Sequence, residues 1–229
     1  MTFARWLKFI YLLILVYLDS FKVKSMDFKQ RYQRLNHWCK EFFRRMPFKL
    51  NVMGLENLEP NQSYYYVSNH QGSFDPVVLV AANPNAHTYI SKSENLKLPV
   101  IGKWGKLIGF IPFKREAFDE NVTMLREASR KLKKGQSICV FPEGTRSKSN
   151  ELIYFKAGAL VPAYLAKVAI VPTSMVNAFQ LDHSKVDSIT VIYGKPIHYA
   201  DYKDLTYDQS MKMIVEVIQD QITFTLNQI

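Results

Sequence analysis

From residue 48 onward, short runs rich in β-branched and aromatic residues alternate with stretches of helical period. Few folds accommodate that order. Residues 48–52 alternate like a strand and stop at Gly54, and residues 63–69 carry Tyr64-Tyr65-Tyr66-Val67 at their centre. Residues 87–91, 110–113, 137–141, 169–176 and 189–193 read as further strands. Between them, residues 76–82, 120–132 and 157–166 suit helices, with Gly135 a natural stop after the second. A last helix carries Met211, Ile214, Val215, Ile218, Ile222 and Leu226 on one face. Such alternation predicts an α/β domain with a mainly parallel central sheet flanked by helices. Sheets of this kind hold ligands at the carboxyl ends of their strands, so the loops after Asn69, Phe113 and Phe141 are where chemistry is expected. With 229 residues, 48% of them hydrophobic, the chain can bury a full-sized core and is not disordered. It has no internal repeat and no low-complexity linker, and its one boundary falls near residue 47.

Before that boundary the pattern differs. Residues 9–18 form an uncharged run of ten, a helix only about 15 Å long, whereas crossing the hydrocarbon core takes ~20 residues. Arg5 and Lys8 ahead of the run imitate a signal peptide, but Asp19-Ser20-Phe21-Lys22-Val23-Lys24 lacks a small-x-small cleavage site. Counting from Phe3 lengthens the helix only by placing Arg5 and Lys8 at the interface. A bilayer span is therefore not expected. In residues 27–46, Phe28, Tyr32, Leu35, Trp38, Phe42 and Met46 recur every three or four positions, with Arg31, Arg34, Lys40, Arg44 and Arg45 between them. A helix of this kind fits an anionic membrane interface. The alternative packs its apolar face on its own domain and leaves the basic face solvated. The two segments, joined by a short polar turn, predict a membrane-associated hairpin over 1–46, ahead of an α/β domain over 47–229.

Thirty Lys and Arg against twenty Asp and Glu give a net charge of +10. That excess predicts an anionic partner: nucleic acid, an acidic membrane surface or a phosphorylated substrate. No nucleic-acid-binding motif is recognisable, and the cations fall on the amphipathic segment and around the strand ends, so nucleic acid is not expected. Cys39 and Cys139 lie a hundred residues apart, with no CxxC pair, which argues against structural zinc and for a reducing compartment.

Two loops hold residues with reactive chemistry. The first reads Ser68-Asn69-His70-Gln71-Gly72-Ser73-Phe74-Asp75-Pro76. An aspartate five residues after a strand-end histidine can hold one ring nitrogen, fix the tautomer and leave the other nitrogen to take a proton. Asp75 before Pro76 also looks like a helix cap followed by a first-turn proline. No Gly-x-Ser-x-Gly accompanies the pair, so His70 is expected to activate a substrate hydroxyl rather than one of the protein's own. The second loop reads Phe141-Pro142-Glu143-Gly144-Thr145-Arg146-Ser147. Its glycine admits close backbone approach, its hydroxyls can donate, and Arg146 offers a planar fork suited to phosphate. A polar surface turn would have a similar composition. Lys114-Arg115 is a third cationic pair at the same expected sheet edge.

Together, Asn69-His70-x4-Asp75 and the Phe-Pro-Glu-Gly-Thr-Arg-Ser loop some seventy residues later strongly resemble the glycerolipid acyltransferase family, above all its 1-acyl-sn-glycerol-3-phosphate acyltransferase branch. Residues 109–115 occupy the place of the family's second motif, Ile170-Val171-Pro172 that of its fourth, and Phe155-Lys156-x-Gly158-Ala159 resembles the segment after the third. The likeness covers roughly residues 47–200. It implies that His70 is the general base, that Asp75 supports it, and that Glu143, Gly144, Thr145 and Arg146 form the pocket for an acceptor phosphate. The second motif implies a further phosphate-binding cation. Here Lys114 stands before Arg115 where the family often has an acid, which leaves the choice between the two open. The implied donor is an acyl-CoA or acyl-carrier-protein thioester acting as co-substrate, with no other cofactor and no metal. The implied acceptor is lysophosphatidic acid, with glycerol-3-phosphate, another lysophospholipid or a lyso-aminolipid as alternatives. The implied location is monotopic or peripheral on the cytoplasmic face of a bacterial inner membrane.

Overall fold

The computed structural model describes residues 3–46, 48–114, 118–183 and 187–228. Seven strands form one sheet: β1 (Lys49–Met53), β2 (Tyr64–Ser68), β3 (His87–Lys92), β4 (Ile111–Phe113), β5 (Ser137–Val140), β6 (Ala169–Val176) and β7 (Ser188–Tyr193). Their spatial order is β1-β7-β6-β2-β5-β3-β4. Every described pairing is parallel except β6 with β7. The expected α/β fold with a mainly parallel sheet is what the chain adopts.

Side-chain alternation along β2 divides the core. Tyr64 and Tyr66 point into a cluster with α1 (Phe3–Lys22), α2 (Phe28–Arg45), α3 (Asp75–Ala82) and α4 (Pro99–Leu107). Tyr65 and Val67 point into the opposite cluster, with α5 (Phe118–Lys133), α6 (Val161–Ala166) and α7 (Tyr207–Gln228). In α7, Met211, Ile214, Ile218 and Ile222 are buried, as their spacing predicts. The sequence pattern gives no sign of a helix at α4. Its glycines hide it, and both stand where a Cβ would collide, Gly102 with the Leu96 carbonyl and Gly105 with the Phe110 ring.

Residues 3–46 carry two helices, α1 and α2, that pack in different ways. α2 begins at a reciprocal capping box, Asp27 accepting from Gln30 N–H at 2.9 Å and Gln30 from Asp27 N–H at 3.1 Å. Its apolar face packs on the α/β unit: Tyr32, Cys39, Phe42, Phe43 and Met46 are buried, each such side chain contributing on the order of 1.5–3 kcal/mol. The Tyr32 hydroxyl reaches the Asn83 carbonyl and His87 Nδ1, both at 2.9 Å. Its arginines have partners within the chain. Arg31 donates to the carbonyls of Val23, Lys24 and Leu107, Arg34 grips Asp19 with two bonds, and Arg44 and Arg45 meet Glu41. The apolar face of α2 is therefore packed on its own domain, as in the alternative reading.

α1 is the reverse case. Leu12, Val16 and Asp19 face inward, and Trp104 of α4 donates to the Val16 carbonyl at 3.0 Å. Trp6, Leu7, Tyr11, Ile14, Tyr17, Leu18 and Phe21 are exposed. Among the described residues, no helix is long and apolar enough to cross a membrane.

Candidate active site

β2 and β5 are hydrogen-bonded neighbours with Val67 opposite Val140, so the loops leaving their carboxyl ends stand side by side. The first loop folds back onto its carboxylate. Asp75 opens α3 and is buried. Its Oδ2 accepts from the backbone N–H of Gln71 at 2.6 Å and of Gly72 at 2.9 Å, and lies 2.7 Å from His70 Nδ1. Phe74, not Asp75, occupies the cap position of α3, so the capping alternative does not describe this carboxylate. An ionised carboxylate can only accept, so Nδ1 carries the proton and Nε2 keeps its lone pair. Burial pushes the Asp75 carboxyl above its usual range, opposed by the hydrogen bond and charge of His70 and by the two loop N–H groups.

The second loop grips the first. Its Phe141 ring stacks on the His70 imidazole at 4.3 Å between centroids and 21° between planes. Glu143 is buried and accepts from His70 N–H at 2.6 Å and Ile153 N–H at 3.1 Å. Burial raises its carboxyl too, against those two donors. Ser147 N–H returns to the His70 carbonyl at 2.8 Å, and Lys148 N–H to that of Gln71 at 3.2 Å. Gly144 has φ +66°, and a Cβ there would stand 3.2 Å from Lys156 Nζ, so the glycine both permits the turn and admits that ammonium. Thr145 and Arg146 are exposed at the mouth. Arg146 donates to the Ser73 hydroxyl, and Ser73 N–H and Oγ face the Asp182 carboxylate.

Buried amides join a third loop. Asn69 exchanges two bonds with the backbone of Met175 on β6, at 2.9 and 2.7 Å. The Gln71 side chain links Asn150 Oδ1 at 2.9 Å to Ala178 N–H at 2.8 Å, and Asn150 Nδ2 reaches Asn177 Oδ1.

His70, Asp75, Glu143, Gly144, Thr145 and Arg146 are thus brought together. Lys114 is further off. It follows β4, the edge strand, three positions from β2 in the sheet, or ~14 Å at ordinary strand spacing. Arg115 lies outside the described residues. Sequence reasoning gives no role to the Phe141 stack, to Lys156 over Gly144 or to the Ser73–Asp182 contact. The one trace of Lys156 is its place in the segment after the second loop. Both cysteines are buried, with burial pushing the Cys39 thiol up to about 12 and Cys139 likewise upward, so neither is poised as a nucleophile.

A family model described as Acyltransferase matches residues 49–176, more than half of the chain and both loops. The chain belongs to the acyltransferase family. Among its relatives, the chloroplastic 1-acyl-sn-glycerol-3-phosphate acyltransferase LPAT1 of Arabidopsis thaliana is 36% identical over 158 residues, covering 66% of this chain and 44% of the relative. The 1-acyl-sn-glycerol-3-phosphate acyltransferase of Bacillus subtilis is 27% identical over 179 residues, 76% of this chain and 86% of the relative. The chain spans about half the length of the plant relatives it matches. The acyltransferase fold here also resembles the crystal structure of the 1-acyl-sn-glycerophosphate acyltransferase PlsC from Thermotoga maritima. The TM-score is 0.72 at 22% identity, covering 96% of this chain and 97% of that one.

Proposed function

We propose that this acyltransferase moves a fatty acyl group from an acyl-CoA or acyl-carrier-protein thioester to the free sn-2 hydroxyl of lysophosphatidic acid, giving phosphatidic acid. The observation that carries this reading is the pairing of a buried Asp75, 2.7 Å from Nδ1, with a His70 ring whose side chain stays 20% exposed. Nε2 removes the hydroxyl proton while Asp75 stabilises the imidazolium that forms. The oxygen attacks the thioester carbonyl, and the tetrahedral intermediate collapses. The carbon–sulfur bond breaks, the thiolate leaves, and it takes up the proton held by His70. No acyl-enzyme is needed, in keeping with two inert cysteines. Arg146 at the mouth binds the acceptor phosphate, with Gly144 and Thr145 shaping its pocket. Lys114 and Arg115 suit the outer part of an anionic substrate. The names of the relatives support the same acceptor.

The exposed apolar face of α1 seats the enzyme in one leaflet, at the cytoplasmic face of a bacterial inner membrane, as a monotopic or peripheral protein. Phe9 on α1 meets Phe74 edge-on at 6.3 Å, and Phe74 is the residue before Asp75. The bilayer-seated helix therefore touches the loop that carries the base, and a lysolipid need not leave the interface to reach it.

The test is acyl transfer by the purified protein to a panel of phosphorylated and non-phosphorylated acceptors, with both donors. Lysophosphatidic acid is expected to be preferred. His70→Ala is expected to keep the fold by circular dichroism and lose ~10²-fold or more of the activity. Activity retained in that variant would overturn the mechanism.

A further inference from the structure

The Phe-Pro-Glu-Gly-Thr-Arg loop does not present all its polar groups to a ligand. Arg146 and Thr145 are exposed, while Glu143 is only 3% exposed and both its oxygens are engaged, Oε1 by His70 N–H and Oε2 by Ile153 N–H. A carboxylate so placed would in any case repel an acceptor phosphate. Phe141, two residues earlier, lies flat on the imidazole and is itself stacked with Tyr89 behind it at 6.2 Å and 13°. His70 is therefore fixed at four points: its backbone N–H by Glu143, its carbonyl by Ser147 N–H, one ring face by Phe141, and Nδ1 by Asp75. Among the described residues, no hydrogen bond is made to Nε2 and no ring stacks on the opposite face.

We propose that Phe141 and Glu143 are positioning residues for His70 and not ligands of the acceptor, so that one loop divides its work: Phe-Pro-Glu serves the base and Gly-Thr-Arg serves the anion. The inference rests on the reading of His70 as the base. The Glu143 carboxylate fixes where the His70 backbone leaves β2, and the Phe141 ring fixes the plane of the imidazole. Together they aim Nε2 into the cleft. Through Ile153 the same carboxylate ties the base to the segment that ends in Phe155 and Lys156. The charged groups around His70 are Asp75 at the start of α3, Glu143 and Arg146 after β5, Lys156 over Gly144, and Asp182 beyond Ser73. Of these, Asp75 and Glu143 bond His70 directly.

Kinetics of Glu143→Gln and Phe141→Leu test the proposal. The amide introduced by Glu143→Gln can accept from only one of the two N–H groups, so the base shifts slightly and kcat is expected to fall ~10-fold or more, with the acceptor KM within about twofold of wild type. Phe141→Leu is likewise expected to lose kcat without loss of acceptor affinity. A raised acceptor KM with kcat held, or no change in either variant, overturns the proposal. If His70→Ala retains activity, the base reading itself has failed. If His70→Ala is dead and Glu143→Gln is unaffected, only the positioning role has failed. Should Glu143→Gln not fold, the wild-type protein decides by nuclear magnetic resonance. The His70 amide proton should move with the titration of the Glu143 carboxyl carbon, and an amide indifferent to that titration overturns the assignment.

Discussion

At the strand ends this protein buries carboxylates, and along α1 it exposes aromatic rings and long aliphatic side chains. Both arrangements run against the usual partition of polar and apolar groups, and they are stabilised differently. Asp75 and Glu143 are kept inside by hydrogen-bond donors drawn from the loops around them, at 2.6 to 3.1 Å, so both carboxylates find their donors within the chain. On α1, Leu7, Ile14 and Leu18 stay exposed, and the exposed Phe21 ring lies under the Lys103 ammonium. In the proposed membrane seat, lipid is the complement of that face. A neighbouring amphipathic helix, α2, has its apolar face covered by protein, so the hairpin divides into a strut and a contact surface.

Substitutions can test that contrast in order of expected effect. The largest belongs to α1. Leu7→Glu combined with Ile14→Glu removes two exposed apolar side chains worth about 1.5–3 kcal/mol each when buried. Sedimentation with phosphatidylglycerol vesicles should show binding weakened ~100-fold or more, with turnover in detergent micelles kept. Unchanged vesicle binding would mean that this face is not the contact surface. Next comes His87, buried at the start of β3 with Tyr32 on Nδ1 and Tyr89 on Nε2, each at 2.9 Å. Burial pushes its pKa down from 6.5 to about 4, so the folded protein holds it neutral. As pH falls below 6.5 the unfolded chain takes a proton that the fold refuses, and stability is lost progressively down to about pH 4, by up to ~3 kcal/mol. Urea unfolding at pH 7, 5.5 and 4.5 should show that loss, and His87→Gln should flatten it. An equally steep slope in the variant would assign the loss to other groups. The smallest effect is on the acceptor: Arg146→Ala should raise its KM ~10-fold while kcat stays within a few-fold. A fall in kcat alone would place Arg146 with the base instead of the anion.

The strand pattern and the two motif loops are legible because their signals are local. The run Tyr64-Tyr65-Tyr66-Val67 marks β2 by its strand propensity, and a strand-end histidine meets an aspartate five residues on by way of a turn. Three things are not legible, for separate physical reasons. Strand order is absent from any linear pattern, so Lys114 reads as a neighbour of His70 although β4 is the sheet edge. A carboxylate that accepts backbone N–H groups leaves no trace in residue identities, so the bonds of Glu143 to His70 and Ile153 are not legible. An amphipathic helix has one sequence whether lipid or protein covers it, and α2 reads as a lipid-facing helix although protein is its cover. The glycines of α4 conceal a helix because they answer to close packing and not to helix propensity.

The central place of β2, paired on one side with β5 and on the other with β6, bears on how such an enzyme can evolve. The separation of the loop that carries His70 from the loop that carries Arg146 is set by one step of a backbone ladder, whose spacing is indifferent to which side chains hang from it. A lineage can rewrite most of its core and surface while that ruler stays calibrated. The shared shape at 22% identity with the Thermotoga protein is the sort of divergence this permits. Mutational tolerance in this fold should therefore be broad across the helices and abruptly narrow over the few loop residues that the ladder holds in register.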